Sequence, residues 1–309
     1  MLAAALALVV ALLGLEAVLR WGVGMGDPPI ALRDAAVEYR LAPAASYRRW
    51  GNRIEINSQG LRAPEFDATP APDERRALLI GDSIVYGNHF LDQPETVAYR
   101  MTQALAEAPS LSGCVPLAIP MATSSWGPVN EAAMLAREGA YGAEAALIVV
   151  SAHDMLDVPD GASVVPYRLA PSWTAIGDAL TAVYERHAPR WLQAPPPPPA
   201  PAERRKAMTL AALDAMQAQL TAEGAWVALV YHPMKGEAAK PSSEFKRGFE
   251  NWARRQGVPF VDLGEIPGQE MGYRDGLHPD ARGAAAIAEA LAEVAAARMR
   301  GCEAGAARP

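Results

Sequence analysis

From Ala77 onward the chain alternates short apolar runs with amphipathic stretches, and that rhythm constrains the fold more than any other feature. The apolar runs cover residues 77–80, 114–119, 145–150, 226–231 and 258–263. Each is too short for a buried helix and has the near-continuous hydrophobicity of a strand covered on both faces. Between and after them, apolar residues recur at helical spacing. Val97, Met101 and Leu105 follow Pro94-Glu95, Leu213, Met216 and Leu220 share one face, and Ile287, Leu291 and Val294 share another. A further helix is expected near 129–138. Strands alternating with helices imply a parallel, three-layer α/β/α domain.

The first run ends in a pattern with chemical content, Ile80-Gly81-Asp82-Ser83-Ile84-Val85-Tyr86-Gly87. Ligands of open α/β sheets bind beyond the carboxyl ends of the strands, where Ser83 would stand. A serine there, at the start of a helical turn, is placed to act as a nucleophile if a base and an orienting group reach it. The best candidate for both is Asp275-Gly276-Leu277-His278-Pro279, directly before the last helix. With Asp275 three residues ahead of His278 on a tight turn, its carboxylate can hold one ring nitrogen and leave the other facing a serine.

Other motifs are weaker. Gly87-Asn88-His89 superficially suggests a two-metal phosphoesterase, but it lies too close to Gly81-Asp82 to come from a separate strand. Ser243-Glu244-Phe245-Lys246 has the Ser-x-x-Lys spacing without its companion motifs and reads as a helix start after Pro241. His187 lies beside a proline run and is expected in solvent. His232, ending the fourth strand, could line a pocket or serve structure. Asp154 reads as a hydrogen-bond acceptor bracing a loop. No metal or organic cofactor is implied.

Gly81-Asp82-Ser83 and Asp275-x-x-His278-Pro279, in that order and on those elements, resemble the first and last motif blocks of the SGNH/GDSL hydrolase family. The resemblance covers roughly residues 77–298. It implies a flavodoxin-like sheet of order 2-1-3-4-5 and a Ser83–His278–Asp275 triad. It also implies cleavage or transfer of acyl groups on esters, thioesters, sugars or lipids. Asn57-Ser58-Gln59-Gly60-Leu61-Arg62 is similar to the arm of membrane-anchored bacterial members. Two middle blocks depart from the family pattern. Aligning Ser124-Ser125-Trp126-Gly127-Pro128 puts Ser125 where a glycine would supply a backbone N–H to the oxyanion. Ser151-Ala152-His153-Asp154 puts His153 where an asparagine would donate. The expected oxyanion hole is therefore the N–H groups of Ser83 and Ser125 with the His153 ring, since an imidazole can still donate.

The remaining stretches set the context. Residues 2–15 carry no charge, and Glu16 and Arg20 follow before Trp21. That run is short for a full span but suits a signal-peptide core. Read through to Leu19 it becomes a marginal single-span anchor, which we expect here, with a cleaved signal as the alternative. The expected location is the cell membrane with an exported domain, or a secreted or periplasmic one. The expected divisions are 1–22 as anchor or signal, 23–73 as a lead-in arm with a hairpin around Arg53–Asn57, 74–300 as the hydrolase domain, and 301–309 as a flexible tail. A proline-rich insertion around 190–202 reads as an exposed spacer. Cys114 and Cys302 are the two cysteines. They could pair in an exported protein, but Cys302 lies in a Gly/Ala-rich tail, so two free thiols are expected. A net charge of −7 argues against a nucleic-acid partner.

The function these features point to is a serine esterase acting on an acylated small molecule, glycan or lipid. Two alternatives stand beside it: an O-acetyltransferase of a surface polysaccharide, and a non-catalytic carbohydrate-binding or scaffold protein whose oxyanion loop has decayed.

Overall fold

The computed structural model describes residues 1–159, 169–187, 199–237, 243–266 and 271–302. Most of the proline run and of the C-terminal tail lie outside the described residues, and so does much of the segment between Met155 and Trp173.

The five apolar runs form one parallel sheet: β5 (Glu74–Gly81), β6 (Val115–Ala122), β7 (Ala145–Val150), β8 (Trp226–Tyr231) and β9 (Phe260–Asp262). This numbering leaves β1–β4 for the lead-in. The spatial order is β6-β5-β7-β8-β9, which is 2-1-3-4-5 when counted within the sheet. β5 is central, with Ala77–Ile80 paired to β6 on one side and β7 on the other. Such a strand has no solvated face, which is why its run is apolar without alternation.

Alternate side chains of these strands feed two cores. On one face Ala77, Leu79, Leu147, Val149 and Val230 meet α3 (Val97–Glu107) and α8 (Ala281–Ala296) through Val97, Met101, Leu105, Ile287 and Leu291. On the other, Leu78, Ile80, Ile148 and Leu229 meet α4 (Pro128–Glu138), α6 (Ala202–Ala222) and α7 (Glu244–Gln256) through Leu135, Leu213, Met216 and Trp252. Ser243 caps α7 by accepting the Lys246 N–H at 3.1 Å. The helical spacings read from the sequence thus mark the buried faces. α5 (Ala175–His187) was not expected. It falls in the long connection between β7 and α6.

The lead-in is more than an arm. It forms two antiparallel hairpins, β1 (Ala31–Asp34) with β2 (Glu38–Leu41) and β3 (Ala45–Arg49) with β4 (Asn52–Ile56). Val37, Tyr39, Ile54 and Ile56 are buried in the same two cores as the sheet. At the N-terminus α1 (Leu2–Ala17) runs on through Val18–Val23 with none of its apolar side chains buried.

The expectation of two free thiols is corrected. Cys114 and Cys302 form a disulfide across 188 residues. Residues 300–302 are held beside β5, because the Arg300 N–H and guanidinium bond to Glu144 and the Arg75 guanidinium donates to the Arg300 carbonyl. The tail's composition gave no sign of these contacts, which bring the two sulfurs together.

Candidate active site

Three strand ends converge at the site. β5 stops at Gly81, where an added Cβ would come within 2.8 Å of Val85 and 3.2 Å of the Val149 carbonyl, so only glycine fits. Asp82 follows and accepts the Ile84 N–H at 2.8 Å, starting the single turn α2 (Ser83–Tyr86). Gly87 ends that turn at φ +77°, a conformation glycine adopts without strain. Ser83 is thereby fixed at the carboxyl edge of the central strand.

From the far end of the chain, Tyr273 and Pro279 bridge and close a tight loop. Within it Asp275 Oδ1 accepts the N–H groups of Leu277 and His278, each at 2.8 Å, while Oδ2 lies 2.8 Å from His278 Nδ1. The other ring nitrogen, Nε2, is 3.0 Å from Ser83 Oγ. Burial pushes the Asp275 carboxyl up, but the Leu277 N–H, the His278 ring and the His278 N–H more than offset it and hold the group at about 2. Asp275 is therefore a carboxylate throughout the neutral range. The ring of Phe90 packs edge-on to His278 with centroids 5.1 Å apart. His232 is fully buried, and its Nε2 lies 2.9 Å from the Leu277 carbonyl, bracing the loop that carries the base. It serves the loop's geometry rather than lining an open pocket.

The two departures from the family pattern sit on loops after β6 and β7. Ser125 has φ +58°, in the left-handed region that favours glycine. The backbone keeps the shape a glycine would take, and its neighbours show what holds it. Tyr39 on β2 donates its hydroxyl to the Ser124 carbonyl at 2.5 Å, and Trp126 Nε1 donates to the Tyr39 carbonyl at 3.1 Å. Ser124 Oγ donates to Asn88 Oδ1, and Asn130 Nδ2 donates to the Val37 carbonyl at 2.9 Å. Arg62, itself buried, donates to the carbonyls of Tyr86, Asn88 and Leu91 and so ties the lead-in to the loop after Ser83. These bracing residues were not singled out from the sequence. No local pattern marks an arginine or tyrosine that will bond residues far along the chain.

His153 lies in a short turn after β7, and both its ring nitrogens have partners. Nδ1 is 2.5 Å from Ser151 Oγ, and Nε2 is 3.1 Å from Asp82 Oδ2. Burial lowers the basicity of this imidazole, but Asp154, the Asp82 hydrogen bond and charge, and Asp157 together raise it to about 10. His153 is thus an imidazolium, paired with the acid next to Ser83. Its charge and hydrogen bond, against the push of burial, keep Asp82 below the ordinary carboxylate range. Ser83 Oγ lies 3.3 Å from the same Asp82 oxygen. For His153 to donate to an oxyanion, Nε2–H would have to turn from Asp82.

Behind this pair stand two more buried acids. Asp154 Oδ2 accepts the Ser151 N–H at 2.6 Å, bracing the turn, and burial pushes the Asp154 carboxyl up to about 8 against the pull of His153. Glu131 on α4 is 1 % exposed, and neither carboxyl oxygen has a hydrogen-bond partner among the described residues. Burial, with the nearby acids Asp154 and Asp82, raises its carboxyl well above the usual range. One ligand atom from each of Asp82, His153 and Asp154 lies within 4.8 Å of the others, close enough to surround a cation. A protonated imidazole has no lone pair for a metal and supplies the positive charge itself.

No protein-family model and no curated protein matches the chain. Among solved structures it is similar to an aryl esterase from Mycobacterium smegmatis, at 16% identity and a TM-score of 0.44, covering 72% of this chain and 99% of that one. It is also similar to a GDSL-family lipolytic protein from Desulfitobacterium hafniense, at 12% identity and a TM-score of 0.40, covering 71% and 98%. A third is a carbohydrate acetylesterase family member from Sinorhizobium meliloti, at 16% identity and a TM-score of 0.38, covering 71% and 96%.

Proposed function

We propose that this chain is a serine esterase, a carboxylic ester hydrolase of the SGNH/GDSL kind, acting on an acylated glycan or lipid. The observation that carries the reading is the relay Ser83 Oγ–His278 Nε2–Asp275, at 3.0 and 2.8 Å. Ser83 Oγ attacks the ester carbonyl carbon as His278 Nε2 takes its proton. Asp275 holds the ring tautomer and stabilises the imidazolium that forms. The carbonyl oxygen becomes an oxyanion facing the backbone N–H groups of Ser83 and Ser125, with the His153 imidazolium one carboxylate away. Collapse expels the alcohol, which leaves with the proton from His278, and the acyl group stays on Ser83. Water, deprotonated by the same imidazole, then attacks the acyl-enzyme and releases the carboxylic acid. His153 is read here as a fixed positive charge beside the oxyanion.

We further read Leu2–Val23 as a membrane anchor. Its 22 residues are apolar but for Glu16 and Arg20, and none of its apolar side chains is buried. The Cys114–Cys302 disulfide suits an oxidising compartment outside the cytosol.

A fluorophosphonate probe tests the enzyme directly. The folded wild-type chain is expected to form a stoichiometric adduct, and Ser83→Ala to form none. A folded wild-type protein that takes up no label rules for the binding or scaffold alternative. Product partition with and without an acceptor sugar then separates hydrolysis from acyl transfer.

A further inference from the structure

α5 is anchored inward by a buried ion pair and turns its large apolar residues outward. Its inward side is held by charge: Asp178, fully buried, pairs with the Arg49 guanidinium and accepts the Gly26 N–H at 2.8 Å. Its outward side is apolar. Leu180, Val183 and Tyr184 are 66%, 57% and 54% exposed and fall at helical spacing on one stripe, and Trp173, just before the helix, is almost wholly exposed. A helix of a water-facing domain has the opposite pattern. A polar inward side with an apolar outward side suits a helix lying against lipid.

The position of α5 says which surface its stripe meets. Glu16 interrupts the apolar run of α1, and its carboxylate accepts the N–H groups of Ala175 and Ile176 at 2.7 and 3.0 Å, capping α5. Arg20 donates to Glu16 at 2.9 Å and to the Trp173 carbonyl at 3.4 Å. The two helices are therefore joined at the level of Glu16. The uncharged stretch before that level, residues 2–15, measures only about 21 Å at about 1.5 Å per residue, less than the hydrocarbon layer of about 30 Å. An ion pair such as Glu16–Arg20 is costly within hydrocarbon, so it sits at the edge of that layer, and what Glu16 caps lies among the headgroups. Trp21, 72% exposed, Trp173 and Tyr184 are the residue types enriched at that depth.

We propose that α5 is a second membrane-contacting element, lying in the bilayer interface with Trp173, Leu180, Val183 and Tyr184 against lipid. With α1 it would hold the catalytic domain at a fixed height and orientation above the surface. The proposal rests on reading Leu2–Val23 as an anchor.

The test uses the full chain in phosphatidylcholine/phosphatidylglycerol vesicles. The chain has no free cysteine, so single substitutions can be labelled selectively with the fluorophore NBD. The positions are Leu8→Cys on α1, Leu180→Cys and Val183→Cys on α5, and Gln103→Cys on the exposed side of α3 as an aqueous control. The proposal expects emission shifted to shorter wavelength and strong quenching by bromine-labelled lipid chains at 8, 180 and 183. Position 103 should be quenched by iodide alone. Lipid quenching at 8 with iodide quenching at 180 and 183 overturns the proposal and leaves the anchor standing. Protection of 180 and 183 from both quenchers shows that protein covers the stripe, which also overturns it. Absence of lipid quenching at 8 removes the anchor, and the proposal falls with it.

Discussion

The two loops that meet beside Ser83 are built on opposite principles. The Asp275–His278 loop is partly open to solvent, and every polar atom of its relay has a partner. The turn after β7 is closed. It brings Asp82, His153 and Asp154 together with Glu131 behind them; Asp154 Oδ1 lies 3.4 Å from His153 Nε2, and both Glu131 oxygens lack a hydrogen-bond partner among the described residues. The first loop needs only hydrogen bonds to set its charge state. In the second, burial pushes the Asp154 and Glu131 carboxyls up, while the pairing of Asp82 with His153 works against burial to keep a carboxylate and a cation. The contrast separates a hydrogen-bonded chain that reaches solvent from a charge pair held among buried acids.

The largest expected effect breaks the open side. Asp275→Asn keeps the loop's shape but cannot hold the required His278 tautomer, so kcat should fall by about 10⁴ with KM little changed. Steady-state hydrolysis of an acetyl ester measures this. A loss of less than tenfold would remove Asp275 from the relay.

On the closed side, His153→Ala leaves Asp82 buried without its cation. Breaking such a pair costs about 3–5 kcal/mol, to be read from denaturant unfolding. Turnover should fall by roughly 10² if the imidazolium supports the oxyanion. An unchanged rate on folded protein withdraws His153 from catalysis. His153→Asn sharpens the point, because it keeps a donor and loses the charge. Rate recovery with that variant would assign the role to hydrogen bonding, and continued loss would assign it to charge.

The smallest effect has the opposite sign. Glu131→Leu removes an unbonded buried acid and should raise stability by about 1–3 kcal/mol. It should also change the pH profile. His153, raised to about 10, stabilises the fold fully below its unfolded value of about 6.5, and that contribution is lost as pH rises through 10. Asp154, raised to about 8, and Glu131 act in the same direction, since each binds its proton more tightly in the folded chain. Thermal stability should therefore decline from mildly acid pH towards pH 10, and less steeply in Glu131→Leu. A midpoint that rises with pH over this range would refute the closed-side charge assignment.

The meeting of Ser83 with His278 and Asp275 was legible in the sequence because each motif depends on a few neighbouring residues. Gly81-Asp82-Ser83 sits at the end of an apolar run, and Asp275 reaches His278 within one turn. The sheet was legible for a similar reason, since covering on both faces imposes an unbroken apolar run that can be read locally. His153 was legible as a departure but not in its contacts, because its partner Asp82 is 71 residues away. The bracing of Ser125 by Tyr39, the disulfide and the capping of α5 by Glu16 were equally hidden. The Gly/Ala-rich tail suggested free thiols, whereas Arg300 pairing with Glu144 decided otherwise.

The sequence by itself determined the α/β layering, the carboxyl-edge serine and its histidine–aspartate partner, because periodicity and short spacing act along the chain. Only the tertiary structure decided which charges surround that serine, what holds Ser125 in a glycine's conformation, and which way α5 faces. Those depend on groups distant in sequence that meet only once the core has closed, where removal from water pushes the Asp154 and Glu131 carboxyls up and the acids around His153 outweigh that same burial to hold its proton.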